Sequence, residues 1–289
     1  TVASYVTGEW VQPDASGTPI EHAVTGETIA NVTTEGIDVA AAVSHARGAG
    51  RRSLRGGTIH DRALDLKALG AYLMERKQEL YDLSATTGAT RGDAWFDVDG
   101  GIGVLFALSS KARRELPDAN LVLDGAPEVL ARDGSFVGQH VWTPLEGVAI
   151  QINAFNFPVW GMLEKFAPAY LAGMPTIVKP ASPTAHVTEA LVRLMVSSEL
   201  IPPASVQFLA GRPGDLLDHL SGQDHVGFTG SAATAAKLRS HPAVIEHAIR
   251  LTTETDSLNA AILAPAATPG TPEFDLYLRE VVSEMKSKS

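Results

Sequence analysis

The sequence predicts an α/β protein built on an open, mostly parallel β-sheet. An apolar run at residues 148–152 is followed by the polar turn NAFNFP and by a helical segment at 159–171. A second apolar run, at 174–178, then stops at Lys179-Pro180. A strand, a loop, a helix and a second strand in this order form a βαβ unit, in which the two strands run parallel. Short apolar runs alternate with helical segments after this unit, which extends the same pattern.

The segments before the βαβ unit predict a short β-ribbon followed by three helices. Residues 5–11 and 20–30 are punctuated by glycine and proline, as is typical of short paired strands. Apolar residues at helical spacing predict helices at 38–54, 61–86 and 91–116, which we expect to flank the sheet.

The predicted helix at 91–116 contains three glycines, Gly100, Gly101 and Gly103. A glycine inside a helix costs about 1 kcal/mol relative to alanine. We therefore expect another backbone segment to pack closely against this part of the helix, because such packing is the usual reason that glycine is tolerated there.

Residues 121–142 predict a projecting β-hairpin. Two short apolar segments flank the dipeptide Asp133-Gly134, and Asp-Gly is a strong signal for a tight hairpin turn. A surface hairpin that contacts no other molecule is one interpretation, and an interface with another subunit is the other.

The rest of the chain predicts further strands and helices in alternation. The predicted strands lie at 206–209, 226–228, 248–253 and 260–264. The predicted helices lie at 184–198, 213–220, 231–239 and 274–285. The first of these helices is expected to be capped by the side chain of Ser182 or Thr184.

Composition excludes several classes of function. Of the 289 residues, 45% are hydrophobic and 19% are charged, as in a globular protein, and the net charge of −10 disfavours a nucleic-acid partner. No apolar run approaches the roughly 20 residues of a membrane span, and the first residues lack the pattern of a signal peptide. We therefore expect a cytoplasmic protein. Cysteine is absent and the nine histidines are scattered, so no metal site is expected.

Four motifs in order resemble the NAD(P)-dependent aldehyde dehydrogenase superfamily. They are NAFNFP at 153–158, KPASPT at 179–184, FTGS at 228–231 and the glutamate in LTTETDSLN at 251–259. Together with DAWFDVDGGIG at 93–103, they are most similar to the aldehyde dehydrogenase part of the bifunctional ring-opening enzyme of phenylacetate degradation and to the related semialdehyde dehydrogenases of benzoyl-CoA oxidation.

This resemblance implies a fold and a division into domains. The expected fold is a Rossmann-like open parallel sheet of the aldehyde dehydrogenase type. Residues 1–120 and 144–254 would form the cofactor-binding domain, and 255–289 would begin a truncated catalytic domain. The hairpin at 121–143 would pair across subunits, so a homo-oligomer is expected.

The resemblance also implies three catalytic residues. The Asn156 carboxamide would donate a hydrogen bond to the oxyanion that develops on the substrate. Glu254 would act as the general base that activates a water molecule, and Lys165 would relay protons near the same cavity. Each has a simpler alternative, because turn asparagines often bond their own backbone and exposed glutamates or lysines are often only solvated.

Lys179 and Ser182 are expected to bind the ribose of the coenzyme. A lysine at the end of an apolar strand can hydrogen-bond ribose hydroxyls or meet a phosphate, although many strand-end lysines only reach into solvent. NAD-preferring relatives often carry a glutamate at the position of Ser182, and a carboxylate there repels a 2′-phosphate. The serine therefore predicts NADP, with NAD as the alternative coenzyme, and the side chain is also a candidate helix cap.

The FTGS motif is expected to meet the pyrophosphate. Phe228, Thr229, Gly230 and Ser231 end a strand and open a helix, where free backbone N–H groups and the positive end of the helix attract anions. The sequence has no GxGxxG or P-loop motif, and an ordinary capped helix start is the alternative. The resemblance adds three further cofactor-binding residues, namely Ile152, Phe155 and Gly211.

The expected reaction is the NADP-dependent oxidation of an aldehyde, with a CoA-linked semialdehyde of aromatic-acid degradation as the substrate class. In the family a cysteine thiolate attacks the aldehyde, and that cysteine would lie shortly beyond the predicted helix at 274–285. No cysteine is present in these 289 residues, so the chain alone is expected to be inactive. The alternatives are a non-catalytic protein that binds NADP or an acyl-CoA or serves in oligomerisation, and a structural remnant.

Overall fold

Two antiparallel hairpins open the chain, in a computed structural model that describes residues 1–13, 16–256 and 260–286. Their strands are β1 (Ser4–Val6), β2 (Glu9–Val11), β3 (Thr18–Glu21) and β4 (Thr28–Val32). The first hairpin joins the edge of the main sheet, because Tyr5 pairs with Phe208, whereas the second forms a sheet of its own. The predicted strands are therefore confirmed, but they form two separate hairpins rather than one β-ribbon.

The predicted N-terminal helices are confirmed. They are α1 (Val39–His45), α2 (Arg51–Arg55), α3 (Ile59–Ala85) and α4 (Arg91–Glu115). A π-helical turn, Ala46–Gly50, joins α1 to α2. Both long helices begin with a reciprocal capping box, in which a threonine and an aspartate three residues later accept each other's backbone N–H groups.

Two of the three glycines in α4 lie against another segment, as predicted. A Cβ atom on Gly100 would come within 2.1 Å of the Trp160 ring, and one on Gly101 within 2.8 Å of the Trp160 Cα atom. Only glycine permits this approach, because real Cβ atoms do not come so close to other heavy atoms. Gly103 has no neighbour within 4 Å of such a Cβ atom, so packing does not explain that residue.

The predicted projecting hairpin is also present. Its strands are β5 (Val122–Val129) and β6 (Val137–Trp142), and most of their residues are exposed. Gly134 has a φ angle of +74°, which glycine adopts without the steric cost that other residues incur. The Asp133-Gly134 turn is therefore confirmed.

Most of the remaining elements build the main sheet and its helices, whereas the last helix, Pro272–Lys286, has no buried residue. The remaining elements are β7 (Ala149–Ile152), α5 (Trp160–Leu171), β8 (Thr176–Lys179), α6 (Ala185–Ser197), β9 (Val206–Phe208), β10 (His225–Gly230), α7 (Ala232–Arg239), α8 (Pro242–Glu246), β11 (Arg250–Thr255) and α9 (Pro272–Lys286). The strand order is β11-β10-β7-β8-β9-β1-β2, and the five strands from β11 to β9 run parallel. The predicted α/β fold with a mostly parallel sheet is confirmed.

Successive residues of the central strands point into two different cores. Val178 packs with α3, α4, α5 and α6 on one face of the sheet. Its neighbour Ile177 packs with α1, α7 and α8 on the other face. Helices therefore cover both faces, which is the arrangement that parallel sheets require. No helix in the described ranges combines the length and the hydropathy that crossing a bilayer demands.

Three local predictions are wrong. Residues 260–264 form no strand and are exposed, because their apolar run finds no neighbouring strand in the described part of the chain. The segment 213–220 contains only a 3₁₀ turn, Leu216–His219. Neither Ser182 nor Thr184 caps α6 through its side chain, because a 3₁₀ turn, Ser182–Thr184, precedes that helix and its backbone carbonyls accept the N–H groups instead.

His186 on α6 predicts a specific loss of stability in mild acid. Its Nε2 atom lies 2.8 Å from the Thr86 Oγ1 atom, and burial lowers the pKa of the imidazole below its ordinary value. An unfolded histidine titrates near pH 6.5, so the unfolded state binds a proton first as the pH falls below about 6.5. The free energy of unfolding should then decrease by at most about 1.4 kcal/mol per pH unit, down to the folded pKa.

Urea unfolding between pH 7.5 and pH 5 checks this prediction. His186→Gln should lose less stability over this range than the unmutated protein. The control His140→Gln, at an exposed position of the hairpin, should keep the full slope. His225, whose pKa is also lowered by burial, should account for part of the slope that remains in His186→Gln. Equal slopes in all three proteins would contradict a role for His186.

Candidate active site

The parallel strands of the sheet end at one edge, which we call the carboxyl edge. Ile152 at the end of β7 pairs with Lys179 of β8 on one side and with Phe228 of β10 on the other. One residue further along β10, Thr229 pairs with Glu254 of β11. The strand pairing therefore brings residues from three motifs, and Ile152 just before the fourth, into one row, at the edge where ligands of open α/β sheets bind.

A pocket of about 370 Å³ lies beside this edge. It is lined by Asn156 from the turn after β7, by Thr229 from β10 and by Glu254 from β11. The Thr229 hydroxyl donates a long hydrogen bond of 3.4 Å to the Glu254 Oε2 atom. Asn156 and Glu254 thus line the same space, although they are 98 positions apart in the sequence.

The turn that carries Asn156 is attached to its surroundings on both sides. The Asn153 N–H group donates to the Lys179 carbonyl oxygen at 3.1 Å, which ties the start of the turn to β8. The buried Thr188 hydroxyl on α6 donates to the Pro158 carbonyl oxygen at 3.2 Å, near the end of the turn. The backbone around Asn156 is therefore held by two elements of the sheet-and-helix framework.

Three aromatic rings form one wall of the pocket. The ring centroids of Phe96 and Trp160 are 5.3 Å apart, and Phe157 lies 6.0 Å from Phe96 and 6.2 Å from Trp160. The sequence motifs contain Phe96 and Phe157, and Trp160 lies two residues beyond NAFNFP, but the role of the three rings as a wall is not apparent there. Two signals were available, since Phe157 follows Asn156 directly and Trp160 shares a helix face with Glu164, which also lines the pocket.

Lys165 lies next to this pocket rather than in it. Its ammonium donates to the Glu164 Oε1 atom at 2.8 Å and to the Gly161 carbonyl oxygen at 3.1 Å. Together with Phe228, it lines an adjoining pocket of about 440 Å³, which shares Glu164, Thr229 and Glu254 with the first. Lys165 is thus close to the candidate catalytic groups and is already paired with a carboxylate.

Lys179 and Ser182 line neither of these two pockets. Lys179 is mostly buried, and burial lowers the pKa of its ammonium below the ordinary value. Its side chain has no hydrogen-bond or ion-pair partner among the described residues. Ser182 begins the 3₁₀ turn three residues beyond Lys179. Lys179 is the last residue of β8 and Ser182 follows shortly after it, so both lie near the carboxyl edge.

The remaining predicted cofactor-binding residues lie around the same edge but outside both pockets. Phe155 is 63% exposed, and Ile152 is buried in the sheet. Gly211 has a φ angle of +97°, and a Cβ atom there would lie 2.8 Å from the Thr33 carbonyl carbon. A Cβ atom on Gly230 would lie 2.6 Å from the Phe228 ring. At both glycines a side chain would therefore clash with neighbouring atoms.

The start of α7 differs from its prediction. Ser231 caps the helix by accepting the Thr234 N–H group at 3.2 Å, and the Ala232 N–H group donates to the Asp256 Oδ1 atom at 3.1 Å. The prediction of free N–H groups is therefore wrong for Ala232 and Thr234. The physical reason is that a carboxylate and a hydroxyl of the chain itself satisfy the unpaired donors at the positive end of the helix.

Within the described ranges, no group of three or more histidine or acidic side chains is arranged to hold a metal ion. The polar side chains that line the pocket carry amide, carboxylate and hydroxyl groups. These groups can donate a hydrogen bond to a developing negative charge and accept a proton from water.

Comparison with known proteins agrees with this architecture. The chain is 45% identical over its whole length to the 3,4-dehydroadipyl-CoA semialdehyde dehydrogenase of Aromatoleum evansii, and it covers 56% of that protein. It is 30% identical to aminoaldehyde dehydrogenase 2 of Solanum lycopersicum, with 86% of the chain and 49% of the relative aligned. The chain thus spans about half the length of the curated relatives it matches.

The fold and the family model lead to the same classification. The structure resembles a betaine aldehyde dehydrogenase from Staphylococcus aureus in complex with NAD⁺, with a TM-score of 0.78 at 20% identity, covering 98% of this chain and 54% of that one. The model of the aldehyde dehydrogenase family matches residues 10–269. The chain therefore belongs to the aldehyde dehydrogenase family.

Proposed function

We propose that the natural protein containing this chain oxidises an aldehyde to a carboxylic acid, with a nicotinamide dinucleotide as the oxidant. The observation that carries this proposal is the shared pocket of Asn156 and Glu254 at the carboxyl edge of the sheet. Membership of the aldehyde dehydrogenase family supports the same reaction class.

The two pocket residues have separate roles in this proposal. The Asn156 carboxamide donates a hydrogen bond to the oxygen of the substrate as negative charge develops there. The Glu254 carboxylate takes a proton from the water molecule that releases the acid product. Thr229 orients that carboxylate through its hydroxyl, and the aromatic wall excludes bulk water from the reacting carbon.

Several residues fit a dinucleotide at the carboxyl edge. The half-buried Lys179 ammonium, without a partner among the described residues, suits ribose hydroxyls or a phosphate. The Asn153 carboxamide is also buried, and neither its Nδ2 nor its Oδ1 atom has a hydrogen-bond partner among those residues. An unpaired buried amide is costly, so a ligand that bonds to it is favoured. When bound, the coenzyme would accept the hydride that leaves the substrate.

We propose a CoA-linked semialdehyde as the substrate class and NADP as the coenzyme. The relative with 45% identity acts, by its name, on a dehydroadipyl-CoA semialdehyde, which is an unsaturated chain. An aromatic wall of Phe96, Phe157 and Trp160 suits the carbon chain of such a substrate, because it removes apolar surface from water. The small, neutral side chain of Ser182 leaves room for a 2′-phosphate, which supports NADP over NAD.

The proposed division of the chain follows from the same family membership. Residues 1–120 and 144–254 would form the coenzyme domain, and 255–289 would begin the catalytic domain. The hairpin at 121–143 would pair with another subunit in a homo-oligomer. Its exposed apolar side chains support that role, and they include Leu123, Val137 and Trp142.

Coenzyme titration and an activity assay test the proposed function together. The natural protein should bind NADP⁺ in calorimetry and should form NADPH only when an aliphatic CoA semialdehyde is added. Binding without turnover would instead support a non-catalytic NADP-binding protein. Failure to bind either NADP⁺ or NAD⁺ would overturn the dehydrogenase proposal.

The choice of coenzyme can be tested at Ser182. Ser182→Glu should weaken NADP⁺ binding at least about tenfold and leave NAD⁺ binding little changed, because a carboxylate repels the 2′-phosphate. Ser182→Gln adds the same bulk without the charge and should have a much smaller effect. The difference between the two variants should shrink at high salt, since salt screens exposed charges. Equal losses in both variants would attribute the effect to size alone.

A further inference from the structure

The helix that follows Asn156 is capped by a residue from another helix. Val159 occupies the N-cap position of α5 and offers no side-chain cap of its own. The Trp160 N–H group donates to the Asp97 Oδ1 atom at 2.8 Å, and the Val159 N–H group lies 3.3 Å from both oxygens of the same carboxylate. Asp97 belongs to α4 and is fully buried.

The contact between α4 and α5 is shaped for this arrangement. Gly100 and Gly101 lie one turn beyond Asp97 on the same face of α4, and their lack of a side chain lets Trp160 approach the α4 backbone. A buried carboxylate is costly unless it is paired, and here the N–H groups and the positive end of α5 compensate its charge. Asp97, Gly100 and Gly101 therefore form one contact surface on α4 for residues 159–160, which we call the α4 seat.

This seat lies three residues beyond the proposed oxyanion donor. The turn at 153–158 is tied to β8 by the Asn153 N–H group and to α6 by the Pro158 carbonyl oxygen. Asp97 fixes the backbone immediately after Pro158. The direction of the Asn156 side chain depends on that backbone, because a short turn between fixed ends has few conformations.

We propose that Asp97 is a positioning residue, whose carboxylate holds the start of α5 so that the Asn156 amide points into the pocket. This inference rests on the proposed dehydrogenase function. It also explains why α4 contributes to the site twice, since Phe96, next to Asp97, belongs to the aromatic wall of the same pocket.

Asp97→Asn is the sharpest variant for a test, because it keeps the shape of the side chain but removes its charge and one acceptor oxygen. In the natural protein, kcat should fall about ten- to hundredfold while the Kd for the coenzyme stays within about twofold. The matched control is Asp99→Asn, two residues along the same helix. Asp99 bonds Lys77 and Tyr81 of α3 and lies outside the pocket, so its loss should leave kcat within about twofold.

A double-mutant cycle separates positioning from general damage to the fold. If Asp97 acts through Asn156, then Asp97→Asn should reduce kcat by at most about twofold when Asn156 is already alanine. Reductions that multiply in the double variant would overturn the proposal. They would show that Asp97 supports the fold without directing the amide.

Hydrogen exchange provides a readout that does not depend on activity. Backbone amides at 153–161 should exchange faster in Asp97→Asn, whereas amides of the hairpin at 122–142 should not change. Unchanged exchange at 153–161 would overturn the proposal. Absence of aldehyde oxidation by the unmutated protein would instead overturn the proposed function, and the exchange result would still decide whether Asp97 holds this turn.

Discussion

Replacing Glu254 with glutamine in the natural protein is expected to slow steady-state turnover by about 10²- to 10⁴-fold, while the first NADPH per active site still forms rapidly. Glutamine has almost the same size and keeps the contact with Thr229, but its amide cannot take a proton from water. The water-dependent release of the acid should therefore become the slow step. Stopped-flow absorbance at the NADPH band measures both phases in one experiment.

The control for this variant is Glu246→Gln, an exposed glutamate on α8 outside the described pockets. Its turnover should match that of the unmutated protein. If Glu254→Gln slowed the first NADPH as strongly as the steady state, Glu254 would act before or during hydride transfer. Its assignment as the base for water would then be wrong.

Replacing Asn156 with alanine is expected to give a different kinetic pattern. The loss of one oxyanion donor costs about 10²- to 10³-fold in kcat, because the amide bonds the developing charge more strongly than it bonds the substrate carbonyl. That charge develops before hydride leaves, so the first NADPH should be slowed as much as steady-state turnover. The Kd for the coenzyme should stay within about twofold of the original value.

Comparison of the two variants makes the assignment of roles testable without a bound ligand. A rapid first turnover in Glu254→Gln and a slow one in Asn156→Ala would agree with the roles proposed. Retention of a rapid first turnover in Asn156→Ala would contradict the oxyanion role. Asn156 would then serve only the turn, in the way that asparagines commonly bond their own backbone.

Elements with strong local signals were predictable from the sequence. The helices α3 and α4 begin close to their predicted positions, because Thr58 and Thr90 with their following aspartates form capping boxes that short-range chemistry dictates. The apolar run at 260–264 resembles a strand equally well, but a strand also needs a neighbour to accept its hydrogen bonds. The sequence does not show whether such a neighbour is present.

The candidate site was predictable in part for the same reason. Strand ends on parallel strands share one edge, so the neighbouring positions of Ile152 and Lys179 followed from the βαβ pattern. The N–H groups at the start of α7 were expected to be free. The Asp256 carboxylate meets one of them, and nothing near Asp256 in the sequence indicates that contact.

The amino-acid sequence by itself determined the family, the alternation of strands and helices, and the residue types that carry the proposed chemistry. These depend on periodicity, capping and turn geometry, which act over a few neighbouring residues. Only the tertiary structure decided that Phe96 joins the pocket wall and that Asp97 caps a helix 62 positions later, by its contact with Val159. Such contacts arise from the packing of α4 against α5, and helix packing depends on the shapes of whole surfaces rather than on local pattern.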